Sequence, residues 1–299
     1  MLQTVEFMGR TVYLYDFWND VSAYAMVLFI LLQLKRFCAI SPLAARQSSA
    51  VTRLLIALCQ MLGIIVVVYY LLNYFNRAFG DWFTEGTANY YGSLTAWFLG
   101  VSSMTLLFRT SLLHTHDLLA PALPLQLAFS KMGCFSYGCC SGFAMPNSWY
   151  FNQDTNRAEF PVQLVEALVA LALFFVLLWY RKRSRQAGSV FPLYLLLYSA
   201  SRFLTEFLRA DFPNVLGPFD AYQFLSIAFF VIGIVLLCVV RVYEPIEQNL
   251  EAKWALSYET RKHTQAQKRK QAQLQKYEQL QKQAQIRRGS SSKHKKKKR

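Results

Sequence analysis

Tyr198, Arg202 and Glu206 recur every four residues in LLLYSASRFLTEFLR (Leu195–Arg209), and Arg209 follows three later. On a helix that spacing puts all four on one face, with apolar residues on the others. Ionisable side chains in so apolar a setting need partners, and at membrane depth they mark candidate functional sites. A second unusual stretch, HTHDLLAPALPLQLAFSKMGCFSYGCCSG (His114–Gly142), has the apolar content of a helix. Pro121, Pro124, Gly133, Gly138 and Gly142 interrupt it, and it carries Asp117, Lys131, Cys134, Cys139 and Cys140. Broken, polar-bearing backbone is tolerated in a bilayer only where protein or a water-filled cavity covers it. The two stretches are expected to face one another.

Gln163 and Glu166 lie three apart near the start of a further apolar block. Glu166 inside that block needs a cation, and Lys131, Arg202 and Arg209 are the candidates. Glu159, nearer the aqueous edge, reads as a surface charge. Lys131, Arg202 and Arg209 suit a phosphate, the arginines through their planar forks and the lysine as a point charge. Glu166 and Glu206 can hold those cations or accept a proton, and Tyr91 and Tyr198 can donate hydrogen bonds. An anionic phospholipid headgroup is the natural ligand of such a set; a structural ion-pair network is the other reading. No Ser-His-Asp constellation, phosphate-cradling glycine loop or zinc motif accompanies it. His114, His116, His263 and His294 read as solvated. No cofactor and no metal is expected: Cys134-x4-Cys139-Cys140 is not a zinc spacing, and the sequence offers no fourth ligand nearby. A disulfide between adjacent Cys139 and Cys140 would be strained. Cys38, Cys59 and Cys238 read as small apolar packing residues.

The elements that position these groups are apolar blocks. Of 299 residues 54% are hydrophobic, gathered at Val21–Leu34, Leu54–Tyr74, Leu94–Phe108, Leu118–Phe135, Val162–Tyr180, Val190–Leu208 and Tyr222–Val240. Each is of bilayer-spanning length with its flanks. The fold class expected is all-α, a polytopic membrane protein of about seven spans. No cleavable signal peptide is expected, because Asp16, Asn19 and Asp20 stand where one would carry Lys or Arg. Lys35, Arg36, Arg46, Arg53, Arg109, Arg181, Lys182, Arg183 and Arg185 fall in alternate loops, and acids dominate the others. The N-terminus is therefore expected outside and the C-terminus inside. Residues 1–242 form the membrane body. Residues 243–299 form a basic, Gln- and Lys-rich cytoplasmic tail with 16 Lys and Arg against 5 acids, of the protein's net +15. A weak helical stripe at Leu274, Tyr277 and Leu280 gives way to GSSSKHKKKKR, expected to be disordered and drawn to anionic lipid headgroups. No motif for specific nucleic-acid binding is present.

These motifs resemble the prolipoprotein diacylglyceryl transferase family. Its D-x-x-A-P-x-x-P-L pattern is similar to Asp117, Ala120, Pro121, Pro124 and Leu125. Its Arg-Ile-Gly-Asn-Phe signature, which ends in a glycine, is similar to Lys131, Gly133, Phe135, Gly138 and Gly142. Pro-x-Gln-Leu-x-Glu resembles Pro161, Gln163, Leu164 and Glu166. Tyr-Gly-x-x-Arg-Phe with Glu-Phe-x-Arg resembles Tyr198, Arg202, Phe203, Glu206, Phe207 and Arg209, and Gln-x-Leu-Ser resembles Gln223, Leu225 and Ser226. The likeness covers Tyr90–Val240, and reaches the first span loosely through Tyr24. The chain departs from the pattern in having Lys131 for the signature arginine, Cys134 for its asparagine, Tyr91 for a histidine before paired glycines, and Ser199 for a glycine.

The resemblance implies transfer of a diacylglyceryl group from phosphatidylglycerol to the lipobox cysteine of a prolipoprotein, in the bacterial inner membrane. It implies a catalytic set of Arg202, Lys131, Tyr91 and Glu206. The implied substrate-binding set is Tyr24, Cys134, Gly142, Gln163, Glu166, Tyr198 and Arg209. The other function class open to this sequence is a non-catalytic lipid-binding or scaffold protein of the same fold, or a member with a changed lipid or acceptor.

Overall fold

The computed structural model describes residues 4–7, 10–47, 49–83, 90–140, 142–152, 155–210 and 219–249, with Thr260, Gln267 and Gln271. The chain divides into two compact units, Met1–Glu244 and Pro245–Arg299. Apart from 245–249 and those three residues, the second unit lies outside the described residues, and with it the tail's expected stripe and disorder, His263 and His294.

The first unit is helical. A short antiparallel hairpin, β1 (Thr4–Phe7) with β2 (Arg10–Tyr13), leads into α1 (Leu14–Leu32) and, after a bend of 50°, α2 (Leu34–Ile40). The helices α3 (Pro42–Ala45), α4 (Ala50–Phe83) and α5 (Tyr90–Phe108) follow, then α6 (Leu112–Leu119) and α7 (Ala122–Tyr137). A second hairpin, β3 (Phe151–Asn152) with β4 (Arg157–Ala158), precedes α8 (Val162–Arg183), α9 (Val190–Glu206) and α10 (Ala221–Asn249).

Among the described residues, five helical segments are long and apolar enough to cross a membrane, and the bent α1–α2 pair makes a sixth. The seventh expected block, α9, is 17 residues long and holds Arg202 and Glu206. Large apolar side chains on the outer faces, such as Val66, Leu168 and Val239, are exposed in the isolated chain. That is the surface a lipid-facing helix presents, since lipid demands no polar covering.

Local sequence explains the helix ends. The Pro121 interruption makes no strong bend: Leu112–Tyr137 runs as one 26-residue span. Pro124 lies in the first turn of α7, where a missing N–H costs no helical bond. The α7 helix stops at Gly138, whose φ of 95° suits a residue without Cβ, and its N–H closes on the Cys134 carbonyl. Asp117 accepts from the N–H groups of Gly188 at 2.7 Å and Val190 at 2.8 Å, tying α6 to the start of α9. Asp220 and Gln223 form a reciprocal capping box at the start of α10. Gly92 lets α5 approach α4, because a Cβ there would stand 2.5 Å from the Phe75 carbonyl oxygen.

Candidate functional site

Helix α7 packs against α1 and α8, and α8 against α9. Lys131 (α7), Glu166 (α8) and Arg202 (α9) thereby meet in the interior. Glu166 is the hub. It lies 2.6 Å from the Lys131 ammonium, 2.5 Å from one Arg202 nitrogen and 3.5 Å from Arg209. The other terminal nitrogen of Arg202 meets Glu206 at 2.6 Å, one turn along α9, and Arg209 approaches Glu206 at 3.6 Å. All three cations expected for Glu166 are therefore engaged at once. Both arms of the Arg202 fork are held by carboxylates. Asp220 lies close enough to Glu206 to act on it electrostatically. Among the described residues Lys131, Arg202 and Arg209 are thus paired with Glu166 and Glu206, with Asp220 close by, so an incoming anion must replace a carboxylate on a cation.

Aromatic rings wall one side. Arg202 stacks on Tyr222 at 5.0 Å, and Tyr198 packs on both Tyr90 and Tyr91. The Tyr91 hydroxyl bonds Ser226 at 2.6 Å, and Tyr90 bonds Tyr194 at 2.8 Å. A cavity of about 20 Å³ opens beside the cluster, lined by Lys131, Glu166, Tyr198 and Arg202 among apolar residues. That is room for about one water. A phospholipid headgroup enters only if side chains or helices part.

The segment after α7 closes this end. Gly142 bridges to Arg209, Phe143 N–H donates to the Leu208 carbonyl at 3.1 Å, and Phe160 N–H to the Phe143 carbonyl at 3.0 Å. A Cβ on Gly142 would overlap the Phe160 carbonyl oxygen. Only glycine lets the loop reach the end of α9 and hold Arg209 in place. Gln163 donates to the Cys139 carbonyl at 2.8 Å, so it positions that loop. Cys134 turns toward Cys139 and Cys140, the three sulfurs lying within 4.8 Å of one another.

Tyr24, which the loose family likeness alone implies, is 72% exposed on the outer face of α1, away from the cavity. Other expectations need correction. Glu159 is fully buried, not a surface charge. It accepts from Asn152 at 2.9 Å, Thr155 at 2.5 Å and Arg157 at 2.7 Å. Burial opposes its charge, but those hydrogen bonds outweigh it and hold the carboxyl below its ordinary value of 4.5. His116 is buried between Phe98 and Phe191 with Nε2 3.0 Å from the Ser102 hydroxyl, whereas His114 is exposed as expected. Cys59 and Cys238 are exposed rather than packed. Sequence reasoning passed over Asp220, although D-x-x-Q ahead of an apolar run is a readable capping signal.

Fold and site together define a polytopic α-helical membrane protein with a buried cluster of cations and carboxylates beside a tyrosine wall. Residues 7–239 match the family model described as prolipoprotein diacylglyceryl transferase, and the chain belongs to that family. It is 32% identical over 167 residues to phosphatidylglycerol–prolipoprotein diacylglyceryl transferase 2 of Clostridium perfringens, covering 54% of this chain and 63% of that protein. Its match to the Clostridium tetani phosphatidylglycerol–prolipoprotein diacylglyceryl transferase is 33% over 124 residues, 40% of this chain and 50% of the relative. The Idiomarina loihiensis protein of that name is 32% identical over 183 residues, 57% of this chain and 67% of the relative. The chain thus spans between half and two thirds of the length of these relatives.

Proposed function

We propose that the protein transfers the diacylglyceryl group of phosphatidylglycerol to the lipobox cysteine of a prolipoprotein. In this reading the acceptor thiol attacks as the thiolate, the nucleophilic form. A carbon–sulfur bond forms at the glyceryl carbon. The carbon–oxygen bond to phosphate breaks, and glycerol phosphate leaves with the electron pair. Arg202 and Lys131 hold the phosphate and stabilise the charge that gathers on it. Glu206, Arg209 and Tyr198 orient them, and Tyr91 supports Tyr198 from its bond to Ser226. Lys131 contributes a point charge where the family pattern has a fork, so bidentate recognition falls to Arg202 and requires the phosphate to displace Glu166 or Glu206 from its fork.

The observation that carries this reading is the convergence of Lys131, Arg202 and Arg209 on Glu166 in a helix interior. A phosphate that takes the place of Glu166 meets all three cations at once. The same reading puts the N-terminus outside, the C-terminus inside, seven spans in the bacterial inner membrane, residues 1–242 as the transferring body and the basic tail on anionic lipid. The test is incubation of the purified protein with labelled phosphatidylglycerol and a lipobox peptide. A thioether-linked lipidated peptide and released glycerol phosphate are expected in equal amounts. Retained lipid binding with neither product would favour the non-catalytic lipid-binding reading.

A further inference from the structure

The three thiols at the end of α7 are brought together by a turn that few sequences could make. Gly138 takes a left-handed conformation at φ 95°, and Cys140 does so at φ 63° although it has a Cβ. A non-glycine residue held there is strained and persists only where its surroundings over-determine it. Here they do. Asn152 donates to the Gly138 carbonyl at 2.8 Å, and Gln163 to the Cys139 carbonyl at 2.8 Å. The thiol of Cys139 lies 3.9 Å from the Cys134 carbonyl oxygen, and that of Cys140 lies 4.0 Å from the Lys131 ammonium. The result is three half-buried sulfurs within 4.8 Å of one another on a clamped backbone.

We propose that Cys134, Cys139 and Cys140 form a three-thiolate site for a soft monovalent cation of the copper(I) class. A metal–sulfur bond of about 2.3 Å puts the sulfurs of such a site about 4 Å apart. Small side-chain movements therefore close the site, whereas a disulfide needs its sulfurs at about 2.05 Å. Among the described residues no His, Asp or Glu ligand joins the group. A zinc ion wants four ligands, but thiolate sulfur selects copper(I), which three sulfurs can satisfy. Binding one such ion releases three thiol protons and leaves a complex of charge −2. Lys131 stands beside it, and Arg209 is within electrostatic reach of Cys140, so two cations offset that charge.

The test uses the full chain in detergent, reduced and then freed of reductant without air, titrated with copper(I) held by bicinchoninate. One copper per chain is expected to leave the chromophore. In the unmutated protein copper is expected to protect Cys134, Cys139 and Cys140 from alkylation and to leave the alkylation of Cys38, Cys59 and Cys238 unchanged. Cys134→Ser, Cys139→Ser and Cys140→Ser should each weaken copper binding at least about ten-fold, and Cys59→Ser should not. Alkylation of the three cysteines unchanged by copper would overturn the proposal, a result that needs no variant to fold. Equal copper affinity in folded Cys134→Ser would overturn it too. So would a disulfide from Cys134 to Cys139 or Cys140 that survives reductant.

Discussion

Replacing Glu166 with Gln removes one negative charge and almost no volume. Among the described ion pairs, those of Arg202 and Arg209 with Glu206 then remain. Lys131, only 16% exposed, loses its 2.6 Å partner, and Arg202 loses one of two. Breaking a buried ion pair by removing one partner costs about 3–5 kcal/mol, because a desolvated charge is left behind. The Gln carbonyl still accepts one hydrogen bond, so the lower end, about 3 kcal/mol, is expected. That is a large part of the roughly 5–15 kcal/mol by which domains are stable. Denaturation in detergent should show it as a lowered midpoint. The second arm of the test is Lys131→Met. Alone it leaves Glu166 with Arg202 and Arg209 and should cost less. Combined with Glu166→Gln it removes the cation that the first change stranded. The double variant should therefore be more stable than the two separate losses predict, by a coupling of about 1–3 kcal/mol. Strict additivity, or a Glu166→Gln protein as stable as the parent, would refute the hub described for Glu166.

Gly142→Ala should destabilise by about 1–3 kcal/mol, as overpacking does, and should loosen Arg209, because the new methyl meets the Phe160 carbonyl oxygen; unfolding and protease sensitivity of the loop check both. Glu159→Gln should cost about 1–2 kcal/mol at neutral pH, from weakened charge-assisted hydrogen bonds. Because the folded carboxyl titrates below its ordinary 4.5, that stabilisation is complete above 4.5 and is lost as pH falls through the lower folded value. The two proteins should therefore converge in acid, and a stability gap that persists there would contradict the assignment. A reporter fused after Arg299 should be cytoplasmic and one inserted near Pro146 external; finding both on one side would sink the proposed topology.

What the sequence made legible was what repeats or what stands out. The Tyr198, Arg202, Glu206 and Arg209 face follows from helical spacing alone. Glu166 was legible as an acid in an apolar block that had to find a cation. The spans were legible as apolar runs, with α9 the exception because its charged face lowers its apolar content. Features set by tertiary return of the chain were not legible. Nothing local says that Asn152, Thr155 and Arg157 converge on a buried Glu159, or that Phe98 and Phe191 enclose His116. The thiol convergence was hidden for a backbone reason: residues 134, 139 and 140 meet only because Gly138 and Cys140 turn left-handed. The full occupation of the Arg202 fork was equally out of reach, since it depends on how closely α8 approaches α9.

The central claim is that this cluster, beyond holding the helices together, receives the phosphate of phosphatidylglycerol. Arg202→Lys tests it most directly, because the charge stays and the fork is lost. One ammonium cannot span Glu166 and Glu206 and also meet a phosphate side by side. With phosphatidylglycerol binding and transfer to a lipobox peptide measured on the folded variant beside the parent, most of the binding or turnover should disappear. A folded Arg202→Lys protein with unchanged lipid affinity and unchanged rate would contradict the account.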